Sequence, residues 1–311
     1  MGSTLDAAAL SDFSSDHSFT FSASSGSFRG GAWNSLSQCG ARLASPDGET
    51  AARDTSRTTL QTPSEPGERM ACQEQVVHCI SGGLILAGVL FLLRQLRFQM
   101  PYGRYAGSSK RWLVPARVAW FLQELPSFLV PVLLLLSTHQ PSILGKYLLL
   151  CTFCLHYFHR TFIYSLFTKS RPSPLKIMIS AFAFCSFNGF CQGHYLLHCA
   201  EYTEAWLRDI RLVTGLILFF LGMAINIHSD YILRCLREPG DFTYKIPRGG
   251  LFDYISGANF FGEIMEWFGY AIATWSMPAF SFAFFTTCLI GPRAYHHHRW
   301  GCAFNSSAMK K

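Results

Sequence analysis

Charge is scarce in this chain. Asp, Glu, Lys and Arg make up only 14% of its 311 residues, against about a quarter in an ordinary soluble domain. The deficit points to lipid as the solvent for most of the surface. Two phosphate-binding signatures are missing too. No GxGxxG follows a strand pattern and no GxxxxGK[ST] occurs, which excludes Rossmann and P-loop sites. A phosphorylated cofactor, if one binds, therefore lies among helices. Cys151-x-x-Cys154 lacks a second CxxC, so that spacing is read as helix packing and no metal is expected there. The chain does not open with a charged start and a short apolar core, so no secretory signal is expected.

Hydrophobic residues are abundant, at 50% of the chain with 28 Phe, and they are unevenly spread. Residues 1–69 are rich in Ser, Thr, Gly and Ala, lack any long apolar run, and read as a disordered extension; Met70 after them is a second candidate start. Residues 70–299 form the membrane domain, and 300–311 a separate C-terminal tail. Of eleven cysteines, Cys79, Cys151, Cys154, Cys185, Cys191 and Cys288 sit in apolar segments, where a thiol packs as a small hydrophobe. The odd total argues against full pairing.

The apolar runs predict an all-α polytopic membrane protein of about seven spans: 76–93, 118–137, 147–167, 177–197, 212–227, 258–277 and 279–292. The fifth and last are short for a bilayer, which takes about 20 residues. Bends or ends are expected at Pro126, Pro131 and Pro278. Segments after the odd-numbered spans carry 17 Lys/Arg, and those after the second and fourth carry 3. Positive loops stay cytoplasmic, so the N-terminus is expected in the lumen and the C-terminus in the cytoplasm. The net charge of +7 follows from this asymmetry, and no nucleic-acid partner is expected.

Polar residues interrupt the spans in five groups. They are Glu124; Tyr157, Arg160 and Tyr164 on one helical face; Asn226, Asp230, Arg234 and Arg237; Asn259, Glu263, Glu266 and Tyr270; and Arg293 with His296, His297 and His298. Any one group is explained equally well by a helix-to-helix hydrogen bond. Five together point to a polar interior pocket, and its arginines suit phosphate because a guanidinium donates two parallel hydrogen bonds. A competing reading takes His156/His159, His194/His198 and the triple His as the histidine boxes of a membrane di-iron oxygenase. Those boxes supply seven histidines where such enzymes need about eight, and they fall at opposite membrane faces.

The stretches WFLQELPSF, CLHYFHRTFIYSL, GMAINIHSDYILRCLREPG, YKIPRGGLFDYISGANFFGEIMEW and RAYHHHR resemble the steroid 5α-reductases, the 3-oxo-5α-steroid 4-dehydrogenases. HYFHRTFIYS and the triple His are nearer the type 2 branch than type 1. The resemblance runs from about residue 76 to Arg299. It implies an endoplasmic-reticulum enzyme whose seven helices enclose a steroid and NADPH, with no obligate protein partner. The implied reaction is reduction of the C4–C5 double bond of a 3-oxo-Δ4 steroid such as testosterone or a progesterone-type substrate. Glu124 and Tyr157 match the pair that holds the 3-keto oxygen. Arg160, Tyr164, Asn226, Asp230 and Arg237 match cofactor contacts, as do Tyr244, Asn259, Glu263, Arg293 and His297. The chain departs from the family after Arg299, where WGCAFNSSAMKK replaces an aromatic-Tyr-Leu step and a basic tail. That departure leaves a second expectation open, a member that binds steroid without efficient turnover.

Overall fold

The computed structural model describes residues 72–98, 112–138, 144–238, 243 and 245–308, the side chains of 303–308 excepted. The extension 1–69 lies outside them. Eight α-helices occur among the described residues: α1 (Glu74–Arg97), α2 (Ala116–Ser137), α3 (Leu144–Phe158), α4 (Ser165–Phe167), α5 (Leu175–His194), α6 (Ile210–Cys235), α7 (Ala258–Thr274) and α8 (Met277–Ala308). A π-helical segment, His159–Tyr164, fuses α3 to the short α4, and another, Tyr195–Cys199, prolongs α5. Seven helical rods therefore stand where seven spans were expected. The two-residue strands β1 (Leu113–Val114) and β2 (Ser173–Pro174) pair antiparallel.

Four of these helices, counted to Cys199 for the α5 rod, are long and apolar enough to cross a membrane: α1, α2, α5 and α6. The chain is a multi-pass, all-α membrane protein. Leu86, Leu90 and Leu93 on α1 are more than half exposed, which makes sense for a lipid-facing stripe. Pro126 and Pro131 lie inside α2, which continues through both. The expected short fifth span is instead the 26-residue α6, because Asp230 and Arg234 are built into the helix and an apolar count stops before them. The expected short last span likewise extends through Pro292 to Ala308.

The closest helix crossing is between α6 and α7. A Cβ on Gly215 would meet Ala273 N at 2.4 Å, and one on Gly222 would meet Glu266 N at the same distance. Gly262 and Gly269 return the contact from α7, against Asn226 N and Phe219 N. Small residues let backbones touch in this way, which is how helices pack without a hydrophobic drive between them. Beside the seam, Phe153, Phe219, Trp267 and Tyr270 form a fully buried aromatic centre.

Pro292 has no N–H to offer the Cys288 carbonyl one turn earlier. Gln95 at the end of α1 replaces it: its Nε2 donates to the Cys288 and Leu289 carbonyls at 3.2 and 3.1 Å. His296 Nε2 in turn meets the Gln95 carbonyl at 3.1 Å. At the other end of α1, Cys72 forms a disulfide with Cys199 after α5. Spacing gave no signal for that pair. All six cysteines read as packing residues are free thiols.

Candidate active site

A cavity of about 2040 Å³ opens among α1, α2, the α3–α4 rod and α5 to α8. Its walls mix apolar rings, such as Phe184, Phe282 and Phe285, with most of the polar residues that interrupt the spans.

Glu124 reaches this cavity from the middle of α2. Its Oε1 accepts from Gln123 Nε2 at 3.3 Å, and Cys185 Sγ lies 3.9 Å from its Oε2. Tyr157, in the last turn of α3, lines the same cavity and is otherwise buried, with its phenol oxygen 3.2 Å from Asn188 Nδ2. Arg160 and Tyr164 follow in the π segment. The wider π turn keeps them on the cavity wall with Tyr157, and such segments recur at functional sites. Arg160 donates from Nη1 to Asp230 Oδ2 at 2.9 Å. Its guanidinium lies 4.2 Å from the Tyr164 ring and 5.0 Å from that of Trp120. A buried arginine is tolerated there because charge, hydrogen bond and ring faces all compensate it.

The α6–α7 seam sets the next group. Asn226 Nδ2 donates to the Asn259 carbonyl at 2.9 Å, and Asn259 and Glu263 line the cavity from the first two turns of α7. Arg237, just past α6, exchanges backbone contacts with the loop after α4: its Nη1 donates to Lys169 O at 2.9 Å, and Lys169 Nζ donates to Arg237 O at 2.7 Å. Arg293 and His297 complete the wall from α8, with Phe260 6.0 Å from the His297 ring. Tyr244 lies outside the described residues.

Not every polar group goes to the cavity. Glu266 was expected on one face with Asn259 and Glu263; instead it is fully buried against His156, with Oε1 2.7 Å from Nδ1. Tyr270 belongs to the aromatic centre. His298 turns to Ser256 Oγ, 2.8 Å away. The histidine boxes are also kept apart. His194 lies against the Gln73 amide at the start of α1, and His296 against Gln95. At 1.5 Å per helical residue these points are roughly 33 Å apart. Among the described residues no three His, Cys, Asp or Glu side chains converge as a metal site would require.

Sequence reasoning passed over Trp120, Gln95, Asn188 and Gln192, and read Cys185 as packing alone. Asn188 and Gln192 carried a usable signal, since polar residues at i and i+4 inside the fourth apolar run share one helix face.

The profile of the 3-oxo-5-alpha-steroid 4-dehydrogenase family matches residues 171–307. The human 3-oxo-5-alpha-steroid 4-dehydrogenase 2 is 53% identical over 237 residues, covering 75% of this chain and 92% of that protein. The chain belongs to the steroid 5α-reductase family. The pig type 2 protein is 55% identical over 74% of this chain and 91% of its own length. The human type 1 protein is 45% identical over 75% and 89%, so this 5α-reductase is of the type 2 kind. Family membership makes it a steroid-reducing enzyme, and the large cavity of this 5α-reductase has acid and phenol side chains among its apolar walls.

Proposed function

We propose that the protein reduces the C4–C5 double bond of 3-oxo-Δ4 steroids with NADPH, converting testosterone to 5α-dihydrotestosterone and acting also on progesterone-type substrates. The observation that carries this reading is that one cavity holds Glu124 and Tyr157 together with Arg160, Arg237 and Arg293. Its volume is about twice that of an ordinary ligand pocket, which runs to about 1,000 Å³, so a steroid leaves room for a second, larger ligand. The residues present fit a dinucleotide phosphate. Guanidinium groups suit its phosphates, and Asp230, Glu263 and the Asn226–Asn259 pair offer acceptors and donors for its neutral parts. Tyr164, Tyr244 and His297 complete the proposed set.

When bound, NADPH supplies the hydride that adds at C5. Negative charge then develops on the 3-keto oxygen, and the resulting enolate takes up one solvent-derived proton at C4 to complete the reduction. Glu124 in its protonated form and the Tyr157 phenol donate hydrogen bonds to that oxygen as the charge grows. Fixed donors aimed at developing charge are the largest single catalytic contribution in many enzymes. The greasy run around Glu124 thus carries an acid because the acid has a substrate to bind. Phe184, Phe282 and Phe285 give the four-ring skeleton apolar walls.

We place the enzyme in the endoplasmic reticulum membrane with all seven rods crossing, the N-terminus lumenal and the C-terminus cytoplasmic. The Lys/Arg asymmetry of the loops supports this orientation. So does the Cys72–Cys199 disulfide, because such bonds persist in an oxidising lumen and both cysteines fall at the expected lumenal ends of their helices. Glu124→Gln and Tyr157→Phe test the reading: the first keeps the shape and an amide donor but loses the acid, and the second removes the phenol donor. Loss of a transition-state donor of this kind lowers kcat about 100-fold or more. Wild-type turnover in both variants overturns it.

A further inference from the structure

Resting on that reading, we propose that Asn188 and Gln192 form a one-way hydrogen-bond relay that holds the Tyr157 phenol as a donor. They are positioning residues and do not touch the steroid. Both lie on α5 one turn apart, and they are 3% and 2% exposed. Gln192 Nε2 donates to the Pro278 carbonyl at 3.0 Å and to Asn188 Oδ1 at 3.3 Å. Asn188 Nδ2 donates to the Tyr157 phenol oxygen at 3.2 Å.

Amide oxygen and nitrogen are assigned from the network around them, and here the network admits one direction. The Pro278 carbonyl can only accept, and it already accepts from Ser281 Oγ at 2.9 Å. Turning Gln192 over would set oxygen against oxygen, so its NH2 faces Pro278. The same nitrogen reaches Asn188, so Asn188 presents its oxygen to Gln192 and its NH2 to Tyr157. The phenol has one hydrogen to give and lone pairs to receive with. Asn188 fills the receiving side.

Ser127 on α2 donates its hydroxyl to the Cys185 carbonyl at 2.9 Å, so its one hydrogen is already spent. Asn188, as a donor to the phenol oxygen, leaves the phenol hydrogen free to be donated, and a 3-keto oxygen gathering negative charge draws it. Bonds in series also polarise one another, so the relay strengthens Tyr157 as a donor while the charge develops.

The test is a double-mutant cycle on steroid reduction by the full-length protein in membranes, using wild type, Asn188→Leu, Tyr157→Phe and the double variant with testosterone at saturating NADPH. The relay predicts that Asn188→Leu lowers kcat about 5- to 10-fold, the effect of one net hydrogen bond, and moves the steroid KM less than 2-fold. It predicts that the same substitution in the Tyr157→Phe protein changes kcat less than about 2-fold, because the phenol it acts through is gone. An unchanged NADPH KM reports an intact fold, and Asn188→Ala replaces Asn188→Leu if the larger side chain prevents folding. Wild-type kcat in Asn188→Leu overturns the relay, as does an equal loss in both backgrounds. If Tyr157→Phe itself turns over at the wild-type rate, the proposed function loses its phenol donor, and the relay falls with it as a separate, recognisable failure.

Discussion

Gly222→Ala puts one methyl group between two helices that touch through their backbones. The new Cβ would stand 2.4 Å from Glu266 N, 2.6 Å from Gly262 O and 2.8 Å from Glu266 Cα. None of these atoms belongs to a side chain that can rotate away, and ordinary contact begins near 3.4 Å. The helices must part locally by about 1 Å, and overpacking of this kind costs about 1–3 kcal/mol. At about 2–4 °C per kcal/mol for a domain of this size, the midpoint of thermal unfolding in detergent falls by about 2–12 °C. The Asn226–Asn259 hydrogen bond is 2.9 Å long; opened by that movement to about 3.9 Å it no longer qualifies as one. The NADPH KM therefore rises as stability falls. Gly83→Ala is the control, since nothing lies within 4 Å of a Cβ at that position. If Gly222→Ala matches Gly83→Ala in midpoint and in NADPH KM, the argument from backbone contact is refuted.

Further outcomes follow from the same geometry. Arg237→Ala and Arg293→Ala raise the NADPH KM by about 10-fold or more, as loss of a charged hydrogen bond does, with a smaller change in steroid KM; the reverse pattern in steady-state kinetics removes both from the cofactor side. Gln95→Leu strands the buried Cys288 carbonyl, which Pro292 cannot serve; this costs about 1–3 kcal/mol and shows as a lower unfolding midpoint. Deleting residues 1–69, which contain none of the proposed site residues, leaves steroid reduction unchanged in a microsomal assay.

The helices were legible because lipid demands long apolar runs, and six of the seven expected spans fall within one helical rod each. The 258–277 run alone divides, at Trp275, which takes φ 48° between α7 and α8. Span lengths were misjudged where polar residues enter a helix: α6 looked short because Asp230 and Arg234, past the apolar run, face a cavity that an apolar count cannot see. Glu124, Tyr157, Arg160 and Asn259 were visible as polar residues out of place. Which of them share a cavity was not, since Glu266 has the same helical spacing from Asn259 and Glu263 yet goes to His156. The Cys72–Cys199 bond and the Asn188–Gln192 relay each join segments more than 30 residues apart through contacts that only the fold creates.

The central claim is that this cavity binds a 3-oxo-Δ4 steroid and NADPH together and passes reducing equivalents between them. The most direct measurement is NADPH consumption by the purified chain in lipid, with and without testosterone, together with mass-spectrometric identification of the steroid product. The account predicts testosterone-dependent oxidation of NADPH and one equivalent of 5α-dihydrotestosterone for each NADPH consumed. Steroid binding without NADPH oxidation, or oxidation without a 5α-reduced product, would contradict it.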